Sequence, residues 1–194
     1  EQVDIEEGAF QNLSALRKVD FENIKSSSVF APNIFVNCPN VTSLTIGEAK
    51  SLNGEPYYLK DYGLKGKETF KLTFNSSFEN IPEKFNEGFG QIETIVLGDS
   101  IQEVSFGCLH TYGIGLKEFY PGLSLRKLEI ALPDLDQNIL QFNSPIEFTL
   151  EGEAKGKVKQ LILSEGGSLT NFKGFTANTF KSFGDTKFNN ETLI

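Results

Sequence analysis

Only one histidine and two cysteines occur in this 194-residue chain, and methionine and tryptophan do not occur at all. Two thiols and one imidazole fall short of the four ligands of a structural zinc site, which excludes zinc. His110 lies two residues after Cys108, so a thiol and imidazole pair would have to come from one short segment. Nucleophile and base normally converge from separate segments, with a third group orienting the base. His110 therefore reads as a loop residue beside a core cysteine, and no catalytic residue is expected.

No apolar run approaches the roughly 18 residues that span a bilayer. Basic residues number 18 against 26 acidic ones, for a net charge of −8. Lacking a basic face, the chain suits neither nucleic acid nor an anionic membrane surface. The acidic balance serves solubility, with a cationic partner as the alternative. Asp134-x-Asp136-x-Asn138 imitates the opening of a calcium loop, but Ile139 stands where glycine is required and Pro145 where a bidentate glutamate is needed. No metal and no other cofactor is expected.

What the chain does have is repetition. Ala9-Phe10-x-Asn12-Leu13-x-x-Leu16-x-x-Val19-x-Phe21 recurs, 25 residues later, as Ile34-Phe35-x-Asn37-Cys38-x-x-Val41-x-x-Leu44-x-Ile46. A fixed period in the 20s is the mark of a solenoid. The alternation around Val19 and Leu44 predicts strands with one face inward. The three-residue steps through 10, 13 and 16 predict a helical or 3₁₀ turn packed on the strand's core side. One turn cannot bury its own apolar face, so neighbouring turns must stack.

The apolar-x-x-apolar-x-apolar ending returns at Ile92-x-x-Ile95-x-Leu97, Leu125-x-x-Leu128-x-Ile130 and Val158-x-x-Leu161-x-Leu163, with a weaker copy from Thr69 to Phe74. First slots at 16, 41, 69, 92, 125 and 158 give steps of 25, 28, 23, 33 and 33. The two long steps carry insertions or hide degenerate turns, for which Leu116-x-x-Phe119 and Ile146-x-Phe148-x-Leu150 are the candidates.

Gly8-Ala9-Phe10-x-Asn12-Leu13-x-x-Leu16-x-x-Val19-x-Phe21, together with Asn37-Cys38-Pro39-Asn40-Val41-Thr42-Ser43-Leu44-Thr45-Ile46, resembles the BspA-like class of leucine-rich repeat. The match is close over residues 5–46, fair over 85–106 and thin from 107 onward. The resemblance implies an α/β solenoid: a right-handed leucine-rich repeat superhelix of about six to eight turns, irregular in its second half, with a parallel sheet on the concave face. It also implies a surface or secreted protein that attaches to a host protein or another cell.

One domain over 1–194 is expected, with regular turns over 1–106, irregular turns over 107–194 and an insertion at 50–67. A hairpin-like excursion is expected at 151–157. The chain opens at Glu1, with no initiator methionine, and enters a repeat almost at once, as expected of a processed or excised piece. The 18 phenylalanines are expected to fill the core as a spine from turn to turn, with Phe10, Phe21, Phe35 and Phe74 inward and Phe180, Phe183 and Phe188 in a last distorted unit. Cys38 and Cys108 are 70 residues apart, about three turns. Stacked strands are about 4.8 Å apart and a disulfide needs its Cα atoms within about 7 Å, so both thiols are expected free, with Cys38 buried in the slot Leu13 fills one turn earlier. Asn-x-Ser/Thr sequons stand at Asn12, Asn40, Asn75 and Asn190.

The outward strand positions are the candidate binding surface: Lys18, Asp20, Ser43, Thr45, Lys71, Thr73, Thr94, Lys127, Glu129 and Gln160. A rigid grid of this kind suits a protein or glycan partner on a host or neighbouring cell better than a small molecule. The expected function is thus a non-enzymatic binding module, extracellular or on the cell surface. A structural spacer that displays another domain is the alternative.

Overall fold

The computed structural model describes residues 2–152 and 156–189. The sequon at Asn190 and part of the excursion at 151–157 lie outside the described residues. Among the described residues sixteen strands, every pair of them parallel, stack into about eight turns of a β-solenoid.

Four ladders run along the stack. The first joins Asp4–Ile5, Val29–Phe30 and Lys50–Ser51. The second joins Lys18–Asp20, Ser43–Ile46, Lys71–Phe74, Thr94–Val96 and Glu118–Tyr120. The third joins Glu103–Val104, Lys127–Ile130, Glu147–Leu150, Ser168–Thr170 and Lys187–Asn189. The fourth joins Asp134–Gln141, Lys157–Leu163 and Thr176–Ser182.

Register shows which side chains make the core. Val19, Leu44, Leu72, Ile95 and Phe119 lie opposite one another along the second ladder, all buried, in steps of 25, 28, 23 and 24 residues. The third ladder aligns Val104, Leu128, Phe148, Leu169 and Phe188, in steps of 24, 20, 21 and 19. Turns of 23 to 28 residues along the second ladder thus give way to turns of 19 to 24 along the third. The two apparent steps of 33 conceal further turns: Leu116-x-x-Phe119 ends on the second ladder and Ile146-x-Phe148-x-Leu150 on the third. The recurring ending also falls on different sides of the solenoid. From Leu125 it leads into the third ladder and from Val158 into the fourth, because a signature of apolar spacing marks an inward strand without marking which side it lines.

The helical part of the expected α/β architecture is corrected. Among the described residues the one helix is the 3₁₀ turn Leu59–Tyr62, and 7–15 and 32–37 are turns. Phe10 N–H donates to the Ile34 carbonyl (3.0 Å) and Asn12 N–H to that of Val36 (2.9 Å), where a helix would send them four residues back along the same chain. Asn12, Asn33 and Asn37 hold φ of 63°, 60° and 59°, left-handed conformations that asparagine tolerates but a helix does not. Asn37 Nδ2 then donates to Asn12 Oδ1 (3.0 Å), so equivalent turns bond side chain to side chain as well. The 50–67 stretch lies within this stack: Phe35 N–H donates to the Tyr62 carbonyl (2.9 Å) and Leu59 N–H to that of Phe85 (3.1 Å).

Phenylalanine fills the interior in clusters, such as Phe74 with Phe78 and Phe85, and Phe148 with Phe142 and Phe172. Phe35 and Phe74 are inward as expected, and Phe21 is half-buried. Phe10 is corrected: it stacks on Phe35 at 5.2 Å but is 38% exposed, because a first turn is covered from one side only. Phe180, in register with Leu161, is exposed in the same way on the last strand of the fourth ladder. Both cysteines are free, and the buried Cys38 thiol donates to the Phe10 carbonyl at 3.0 Å. Where the second ladder turns its corner, the turns approach too closely for any side chain. A Cβ on Gly98 would sit 2.4 Å from the Asn75 carbonyl oxygen, and one on Gly122 2.2 Å from that of Gly98.

The second and fourth ladders meet through a side chain. Phe119 N–H donates to Asn138 Oδ1 (2.9 Å), and Asn138 Nδ2 donates to the Phe119 carbonyl (3.0 Å). The amide thus replaces a peptide unit at an irregularity that lies between Leu135 and Ile139. Asn138→Leu leaves both buried backbone groups of Phe119 without partners. It should lower stability by about 2–4 kcal/mol, read from urea unfolding monitored by far-UV circular dichroism.

Two phenols add a pH dependence. The Tyr57 hydroxyl lies 2.6 Å from the Ala31 carbonyl and 2.8 Å from that of Asp61, and its ring meets that of Tyr62 edge-on at 4.8 Å. Burial, followed by the nearby Asp61 carboxylate, raises the Tyr57 pKa well above the usual range; burial does the same to Tyr62, followed by Tyr57 and Asp61. In the unfolded chain both ionise near 10. Only the unfolded state releases these protons just above that pH, so stability is full below about pH 10 and falls as pH rises. Urea midpoints at pH 8 and pH 11 should show the loss, and Tyr62→Phe should shrink the difference between them.

Candidate functional site

The inward residue of each strand in the second ladder leaves its two neighbours facing out. Register aligns them in two columns: Lys18, Ser43, Lys71, Thr94 and Glu118 in one, and Asp20, Thr45, Thr73, Val96 and Tyr120 in the other. Seven of the ten expected surface residues therefore share one face: Lys18, Asp20, Ser43, Thr45, Lys71, Thr73 and Thr94. The other three lie elsewhere. Lys127 and Glu129 belong to the third ladder, where they form an ion pair at 3.3 Å. Gln160 is on the fourth ladder, between Ile139 and Thr179.

Along the C-terminal ends of these strands runs an open trough of about 510 Å³, lined by Lys18, Asp20, Thr45, Thr73, Val96 and Asp99 among others. Lys18 and Asp20 pair at 2.9 Å with both side chains well exposed, an arrangement that contributes little to stability. Asn75 lies at the inner wall. Its Nδ2 donates to the Phe21 carbonyl (2.6 Å) and its Oδ1 accepts from Ser77, so this sequon asparagine is committed to the fold.

Glu118 and Tyr120 extend both columns and were not among the expected residues, although Leu116-x-x-Phe119 had marked their turn. The alternation of Glu118 and Tyr120 about an inward Phe119 was the available signal. The Thr94 hydroxyl donates to Glu118 Oε2 at 3.2 Å. The Tyr120 phenol is pushed up, first by partial burial and then by Glu118.

Nothing in this arrangement activates a nucleophile. His110 is exposed, and its backbone, not its ring, is held by Asn86. Burial raises the Cys108 thiol pKa, a backbone hydrogen bond from Ser105 opposes it, and Glu83 and Glu129 add to the rise. Asp134, Asp136 and Asn138 lie on a strand, with the two carboxylates outward and Asn138 inward, so the three do not converge. Among the described residues no group of three His, Cys, Asp or Glu side chains could hold a metal ion, and no helix is long and apolar enough to cross a membrane.

Scans against protein-family models, curated proteins and solved structures find no match to this chain.

A thiol held above its ordinary pKa is a poor nucleophile at neutral pH. With a disulfide reagent at pH 7, native Cys108 should react more slowly than glutathione, and Cys38 should react only on unfolding. Rapid labelling of Cys108 would show an activated thiol.

Proposed function

We propose that this chain is a non-enzymatic binding module of a cell-surface or secreted protein, which recognises a protein or glycan on a host or neighbouring cell. The observation that carries the reading is the pair of outward columns held in register across five strands. Their spacing is fixed by backbone hydrogen bonds, so little ordering entropy is lost when a partner is bound. Hydroxyls at Thr45 and Thr73 and charges at Lys18 and Asp20 line an open trough, with Ser43 and Lys71 in the neighbouring column and Thr94 buried against Glu118, a form that suits an extended partner better than a small molecule. The resemblance of residues 5–46 to the BspA-like leucine-rich repeat supports the adhesive role. It also supports the finer architecture, a right-handed superhelix with this sheet on its concave side.

A combined glycan and protein array tests the reading. Wild-type protein should bind a restricted set of spots, and Thr45→Ala with Thr73→Ala should weaken those signals by about tenfold or more while leaving the thermal midpoint in place. An array on which wild type binds nothing favours the spacer role.

A further inference from the structure

The outward face changes character where the second and fourth ladders meet. Up to Thr94 it is hydroxyl and charge, but beyond it come Tyr120 at 40% exposure and Ile139 at 43%, with Val96 and Ile162 half-buried on the same side. The Asn138 bridge to Phe119 joins the two strands at this point, and the next residue of each, Ile139 and Tyr120, is outward on its side of the junction. Ile139 is itself in register with Gln160, and Gln141 with Ile162. Large apolar side chains turned outward on a sheet whose inner face is already complete do not serve the core. Clustered and rigid, they have the composition of a binding hot spot, with tyrosine supplying contact area at low entropic cost.

The opposite half of the same strands is acidic. A cleft of about 430 Å³ is lined by Glu93, Lys117, Glu118, Asp134, Asp136 and Gln137. Lys117 pairs with Glu93 at 2.9 Å, and Lys157, on the adjoining strand, pairs with Asp136 at 2.9 Å. Among the described residues neither Glu118, which accepts from the Thr94 hydroxyl, nor Asp134 is in a salt bridge, so the four carboxylates here outnumber the two lysines. Lys117 and Lys157 hold their protons beyond the usual range, chiefly through their hydrogen bonds to Glu93 and Asp136, as a negative local field requires.

We propose that this junction docks a cationic polypeptide segment, its arginine or lysine heads over Glu118 and Asp134 and an aromatic or aliphatic side chain against Tyr120 and Ile139. The inference rests on the binding-module reading but uses a different part of the face. Glu118 and Tyr120 are two residues apart on one strand, about 7 Å, so an extended partner matches them with a cation and an apolar residue at the same spacing. The overall charge of −8 favours encounter with such a partner. A neutral glycan could hydrogen-bond to these carboxylates but would not neutralise their charge, as a cationic segment does.

The probe is a fluorescein-labelled synthetic peptide with arginine and phenylalanine two residues apart, repeated three times with glycine between. Its controls replace arginine by glutamate or phenylalanine by alanine, and a chitin hexasaccharide represents the glycan class. In anisotropy titrations the first peptide should bind and both control peptides should bind at least tenfold more weakly. Binding should weaken as salt rises from 50 to 300 mM, and should fall by about fivefold or more with Tyr120→Ala and with Glu118→Gln. Thr45→Ala and Thr73→Ala should leave it unchanged. Equal binding of the glutamate peptide, indifference to Tyr120→Ala in a variant that melts like wild type, or binding of the hexasaccharide in place of the peptide overturns the proposal. The reading of the trough fails separately, through the array response of the Thr45 and Thr73 variants.

Discussion

A backbone amide in a strand of this stack finds its partner in another turn, because a β-strand has no hydrogen-bond partners within itself and a buried unpaired amide costs too much to keep. That constraint organises the molecule. It explains why the strands are parallel, why Phe10 and Asn12 reach forward to Ile34 and Val36, and why the Asn138 side chain takes over where the strand is irregular. Side-chain packing follows the same lines, since residues that pair by backbone also stack in the core, as Val19, Leu44, Leu72, Ile95 and Phe119 do.

The same constraint produces the outward face. Once Leu44 and Leu72 are inward, Thr45 and Thr73 must be outward and adjacent, whatever their chemistry. Selection is then free to vary the outward residues without touching the core. The surface shows the result: hydroxyls and paired charges over the early turns, then an apolar and acidic junction around Tyr120, Ile139 and Asp136.

The first two turns could be read directly from the sequence, because every apolar position of 10–21 recurs at 35–46 and the inward pairing of Val19 with Leu44 follows. The helix expected over 10–16 could not be read correctly. Three-residue apolar spacing fits a helix as well as it fits a series of turns, and the deciding feature was the left-handed conformation of Asn12, Asn33 and Asn37. Lys127, Glu129 and Gln160 were grouped with Thr45 through a spacing that does not distinguish one side of the solenoid from another. Glu118 and Tyr120 were overlooked because Pro121 stands where the recurring ending has its last apolar residue, and Asn138 because an asparagine that stands in for backbone leaves no periodic trace.

Turn length varies along the chain, from 28 residues between Leu44 and Leu72 to 19 between Leu169 and Phe188. A stack of identical rungs could thread itself one rung out of place and still satisfy most of its contacts. Here a displaced rung would arrive with residues to spare or too few to close the circuit, and its aromatic side chains would meet spaces cut for others. Unequal turn lengths thus favour one alignment of the chain over frame-shifted ones.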